Sequence, residues 1–207
     1  MNIRNLILAA LLGVGAATTA ASGIGTASAS ATSPRQISPV RLFSDGSVVA
    51  HGWSSLRTMP DRASVDLHTR KLPAGDAVTL WWVIFNHPEN CAHGVGGLRC
   101  GEGDLNVASV EASVLYADGQ IIRAGGIANY RATRTVGDTS GALFGNGLTN
   151  PLGADIHLVV HDHGPVIPGL EFEMTHSFGA GCNNVPPGTG TPGPNTCRDV
   201  QFSAHEQ

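Results

Sequence analysis

Lysine is almost missing from this chain of 207 residues. Lys71 is the only one, and lysine and arginine together number 12 against 16 acidic residues, a formal net charge of −4. A nucleic-acid partner is therefore not expected, since such a partner is met with clustered lysine and arginine. No cysteine precedes Cys91, which excludes a lipid-anchored cysteine at a processed N-terminus. No C-x-x-C pair occurs, so the usual spacing of a thiolate zinc site is absent. The G-x-S-x-G elbow is missing too, and with no serine set beside a plausible base a hydrolase is the activity least supported. No ten-residue stretch carries a 3.6-residue apolar period, which argues against long helices.

Long apolar runs are likewise scarce. The one near the start, Leu6 to about Ala17, is too short to cross a bilayer of roughly 30 Å. It follows Arg4 and precedes a small-residue tail with A-x-A sites, the pattern of a secretory leader over residues 1–29. Cleavage is expected after Ala29, with Ala31 as second choice. Arg4 stands alone where a twin-arginine signal needs a pair, so general secretion follows. The expected product is extracellular, without a transmembrane segment, with residues 30–60 as an N-terminal arm and 61–207 as a single domain.

All four cysteines lie in the exported part, and an even count outside the cytosol reads as disulfides. Four cysteines allow three connectivities. The local one, Cys91 with Cys100 and Cys182 with Cys197, costs least in loop closure. Each bridge would tie a long loop, 87–106 or 181–197, and loops of that length are often functional.

Glycine and proline punctuate the rest about every ten residues, between short segments rich in Val, Ile, Leu, Trp and Thr. Strands and turns follow. "SVDLHTRKL" (64–72) alternates, with Val65, Leu67 and Thr69 on one side. "AVTLWWVIFN" (77–86) is apolar on both faces and belongs in the middle of a core. Residues 107–132 read as a hairpin turning at Asp118-Gly119. Segments 154–163, 170–178 and 199–205 read as three more strands. The fold expected is all-β: an antiparallel β-sandwich of two sheets with Greek-key connections, or else a closed barrel.

One segment could carry chemistry. "HLVVHDHGP" (157–165) places His157, His161 and His163 on one face of a strand, since their numbers differ by even steps. At about 3.3 Å per residue, His161 and His163 are close enough to share a metal, while His157 is roughly 13 Å from His161 and is not. Copper or zinc on His161 and His163 needs a further ligand. It would come from His51, His68, His87, His93, His176, His205 or a carboxylate, and His176 is the most suggestive, sharing an expected strand face with Phe172, Met174 and Phe178. The plainer reading has the rings hydrogen-bonded to loop carbonyls, with Asp162 as a turn former and no cofactor. Glu102, Asp104 and Asn106 offer oxygens for calcium but lack the EF-hand pattern.

The strings "LPAGDAVTLWWVIFNHPENC", "CGEGDLNVASVEASVLYADG", "GLTNPLGADIHLVVHDHGPVIPG" and "CRDVQFSAH" resemble an uncharacterised family of secreted bacterial proteins, over residues 64–205. That resemblance implies export and brings no activity with it. A histidine before Gly-Pro in a secreted β domain is distantly similar to chordin-type (CHRD) domains and to copper/zinc superoxide dismutase. The dismutase comparison requires metal ligands on motifs this chain lacks. The role expected is noncatalytic binding of an extracellular ligand, with a copper or zinc protein as the alternative.

Overall fold

The computed structural model describes residues 35–207; the leader assigned to residues 1–29 lies outside them. Nine strands form one antiparallel sheet. They are β1 (Gln36–Leu42), β2 (Val48–Met59), β3 (Arg62–Thr69), β4 (Asp76–Phe85), β5 (Ala112–Ile121), β6 (Ala128–Thr135), β7 (Ala142–Phe144), β8 (Asp155–Pro165) and β9 (Arg198–His205). Their order across the sheet is β6-β3-β2-β1-β9-β8-β4-β5-β7. All-β is what the chain forms, but its hydrogen bonding runs through a single curled sheet and not the two sheets expected of a sandwich. β9, last in the chain, inserts between β1 and β8 and so joins the β1–β2–β3 meander to the β8–β4–β5 half.

The curl brings β6 back to β5, and the two meet through side chains. Arg134 Nη2 donates to the Tyr116 carbonyl at 2.7 Å, and the Arg131 backbone N–H donates to Asp118 Oδ2 at 3.1 Å. Inside the curl lies the main core, where Leu56, Leu67, Leu80, Trp82, Ile84, Leu115, Ile156 and Leu158 pack together. β4 has its inner residues in this core and is flanked by β5 and β8, as its two-sided apolar sequence requires. On its outer side Phe85 packs with Cys100, Val110 and Ala112, and Ala77 with Met174 and Ala180.

Three expectations are corrected. Residues 30–60 are not an arm: from Gln36 onward they supply β1 and β2, well inside the sheet. Their inner face carries Gly52, Ser54 and Thr58 beside Leu56, so buried polar residues hide the alternation. Asp118-Gly119 is not a turn. Both residues continue β5, opposite Leu80 and Thr79, and the chain reverses later around Gly125 and Gly126, whose φ values are 103° and 66°. Gly119 answers a close approach instead, because a Cβ there would stand 2.1 Å from the Thr175 carbonyl oxygen. Finally, 170–178 is not a strand but a single helical turn, α1 (Glu171–Met174), followed by irregular chain. Only Met174 of its apolar residues is fully buried, while Phe172 is 74% exposed.

Candidate functional site

The outer face of the β4–β8 pair is where apolar strand surface remains incompletely covered. Trp81, Val83 and Phe85 of β4 stand beside His157 and Val159 of β8 and Phe202 of β9, because the register pairs Trp81 with Val159, Val83 with His157, and Val159 with Phe202. Together they floor a cleft of about 860 Å³. The loop around Val95–Leu98 and the side chains of Phe43 and Phe144 form its rim. Val95 is 70% exposed, and Phe43 and Phe144 are partly so. The cleft's polar margin comes from Arg41, Glu102 and Asp199.

At one end of this face stand His161 and His163, on the same side of β8 as expected, their rings edge to face with centroids 4.9 Å apart. Both are buried, at 3% and 0% exposure. Their hydrogen bonding differs. His163 Nδ1–H donates to the Ala180 carbonyl at 3.0 Å, so Nε2 is left to accept from the Thr79 hydroxyl at 3.0 Å. Thr79 Oγ1 in turn accepts from Trp81 Nε1 at 2.8 Å. This chain of donors fixes one neutral tautomer, and burial, followed by the neighbouring His161, pushes the His163 pKa down to about 4. The bond from the ring to a loop carbonyl is therefore present at His163.

His161 is less complete. Its Nδ1–H donates to Asp199 Oδ1 at 2.7 Å, which turns Nε2 into a lone pair, and that atom is buried with no hydrogen-bond partner. The sequence does not reveal Asp199 as the partner, because it is 38 positions away and meets His161 only through the β8–β9 register. Asp162 faces away and accepts from the Gly164 backbone N–H at 2.9 Å, where φ is +76°. Both residues lie within β8, so Asp162 steadies a left-handed glycine inside the strand and is not the turn former that "HDHGP" suggests.

The disulfides pair as expected, Cys91 with Cys100 and Cys182 with Cys197. The second adjoins the two histidines. One ligand atom from each of His161, His163, Cys182 and Cys197 lies within 4.8 Å of every other. His176 does not join them. It is exposed at the end of α1, its ring stacked on Phe172 with centroids 4.1 Å apart, and its Nδ1–H bonds the Phe172 carbonyl at 2.8 Å. A run of touching rings separates it from His161: Tyr116, Trp81 and Phe178, in steps of 5.5, 5.9, 5.3 and 4.4 Å. The burial expected of His176 assumed a strand that the chain does not form.

Of the oxygens that the first loop offers, those of Asp104 serve the loop itself. Asp104 is buried and accepts from the backbone N–H groups of Ala92, His93 and Gly101 and from the His93 ring. Burial alone would raise its pKa, but these donors overcome it and hold the carboxyl at about 2. A serine–histidine contact also exists that the sequence conceals. Ser54 Oγ lies 2.6 Å from Ser203 Oγ and 2.7 Å from His205 Nε2. All three residues are buried in the interior of the curl, on the side away from the cleft, and they tie β2 to β9 across β1. Cross-sheet hydrogen bonding is their evident work.

No helix among the described residues is long and apolar enough to cross a membrane. The chain matches no protein-family model, no curated protein and no solved structure.

Proposed function

We propose that this is a secreted, noncatalytic binding domain that takes a small, largely apolar molecule into the cleft on the outer face of β4 and β8. One observation carries the reading: β4 is apolar on both faces, and on the outer face that it shares with β8 and β9 the first disulfide-tied loop leaves Val83, Val159 and Phe202 only half-buried beside a cleft. Half-buried apolar side chains flooring a concave space, with exposed Phe43, Val95 and Phe144 at its rim, mark a place for a ligand, and about 860 Å³ suits a small molecule. Two disulfides, the leader-like start and the resemblance of residues 64–205 to an exported bacterial family support a place outside the cell.

The test uses 1-anilinonaphthalene-8-sulfonate and the intrinsic fluorescence of Trp81. One dye should bind per folded chain, quenching Trp81, and Val159→Arg should abolish binding while leaving the thermal midpoint nearly unchanged. Binding that survives this substitution would place the dye elsewhere and overturn the reading.

A second reading is favoured by the unpartnered His161 Nε2: copper or zinc held at His161 and His163. Metal analysis of protein purified without a histidine tag tests it, with stoichiometric metal expected and lost in His161→Ala.

A further inference from the structure

We infer that opening the Cys182–Cys197 disulfide converts this corner of the molecule into a zinc site, with His161, His163 and the two released thiolates as its four ligands. The inference deepens the second reading above, replacing His176 by two sulfurs, and rests on it for the role of the histidines. It also departs from the cysteine spacing, which lacks any C-x-x-C. Tertiary structure supplies what spacing does not.

Four observations meet here. The ligand atoms of the four residues already lie within 4.8 Å of one another. Tetrahedral zinc, with Zn–S near 2.3 Å and Zn–N of 2.0 to 2.1 Å, holds its ligand atoms roughly 3.3 to 3.8 Å apart, so modest shifts suffice once the sulfurs separate. All four residues are buried, in a setting that excludes competing water. His161 Nε2 is a buried lone pair with no partner, and the Asp199 carboxylate that accepts Nδ1–H orients it as outer carboxylates orient metal-bound histidines. His163 Nδ1 lies 3.6 Å from Cys182 Sγ. It would turn to the metal by moving its proton to Nε2, which then donates to Thr79 Oγ1, and the Ala180 carbonyl would lose its bond.

The chemistry balances with a dithiol reductant. One of its thiolates attacks a sulfur of the bridge, giving a mixed disulfide and one cysteine thiolate. Its second thiolate then displaces the other cysteine and closes the reductant's own disulfide. Two electrons pass to the protein, and Cys182 and Cys197 end as thiols. Zinc binding displaces their two protons. The closed S₂N₂ set leaves no open position, which makes the site structural. It would hold the 181–197 loop to β8 in the state where the disulfide no longer does.

Cobalt(II) is the probe, because thiolate ligation gives a sulfur-to-cobalt charge-transfer band. The full chain, without a histidine tag, is reduced with dithiothreitol under argon, desalted and titrated beside the oxidised protein. One cobalt per reduced chain with that band is expected, and on the oxidised chain only weaker binding without the band, through the two histidines alone. Cys197→Ser and His161→Ala should each weaken binding about tenfold or more, whereas Cys91→Ser/Cys100→Ser should keep the band. If the reduced chain loses its near-UV circular dichroism, zinc should restore it, and failure to do so counts against the site. Cobalt bound equally by oxidised protein without the band would leave the histidine reading standing and overturn this one. A band that persists in Cys182→Ser/Cys197→Ser overturns it too, and no binding in either state removes both readings.

Discussion

Asn86 shows how a single residue can organise more of the molecule than its place in a loop-bound string suggests. Its side chain is fully buried and fully used: Nδ2 donates to the carbonyls of Glu111 and Gly147, and Oδ1 accepts from the N–H groups of Thr149 and Asn150. Four backbone groups from two distant loops thereby find partners at the end of β4. Asn86→Ala leaves them unsatisfied in a buried place, and the expected loss is about 2 to 4 kcal/mol, read as a fall in the urea midpoint. Asn86→Asp should fail to restore it, because a carboxylate has no donor for Glu111 and Gly147. At this scale much of the chemistry was hidden in the sequence. "HDH" is visible as a string, whereas the bond from His161 to Asp199, the saturation of His163 by Thr79 and Ala180, and the Ser54–His205 contact all depend on which strands are neighbours.

Elements divide by how their burial is written. β3, β4, β8 and β9 are legible because an alternating or doubly apolar pattern matches a half-buried or buried strand. β1 and β2 were not, since Ser38, Gly52, Ser54 and Thr58 occupy positions where an apolar residue would announce a strand. The segment 170–178 fails in the opposite sense: its alternation imitates a strand, yet the chain turns after Met174 to let the second loop cover His163. Gly119 is the hinge of this misreading. The lack of a side chain there lets the Thr175 carbonyl approach β5 and accept from the Tyr116 hydroxyl at 2.8 Å. Gly119→Ala should therefore cost about 1 to 3 kcal/mol by forced displacement of that segment. Gly46→Ala, where nothing lies within 4 Å and only the φ of +71° resists, should cost less in the same thermal-unfolding series.

Across the whole molecule, buried titratable groups set how stability depends on acid. Burial holds His157 and His205 neutral down to about pH 4, against 6.5 for a free imidazole, and His163 shares the direction. The unfolded chain takes up protons as pH falls through 6.5 while the folded chain does not, so stability that is full above 6.5 declines until about 4. Asp76 acts against this. Its carboxyl is raised from 3.8 to about 6, first by burial and then by the charge of Asp162, so its ionised form weakens the fold above pH 6 and that cost fades toward 3.8. Asp155, also raised by burial, opposes in the same sense. The histidines carry the larger shifts, and the net expectation is a falling urea midpoint between pH 6.5 and 4. Asp76→Asn should make that fall steeper and His205→Gln shallower. A midpoint that rises on acidification would mean the buried carboxyls outweigh the imidazoles.

The sequence alone determined the all-β class, the two local disulfides, the two-faced centre at β4 and the shared face of His161 and His163. Each of these rests on periodicity or proximity along the chain, which the order of residues states directly. Tertiary structure decided the rest: one curled sheet with β9 at its seam, His176 set apart by three rings, and a disulfide brought against two imidazoles. Such outcomes turn on strand register and on how loops fold back over a face, and no local pattern encodes which distant segments will meet.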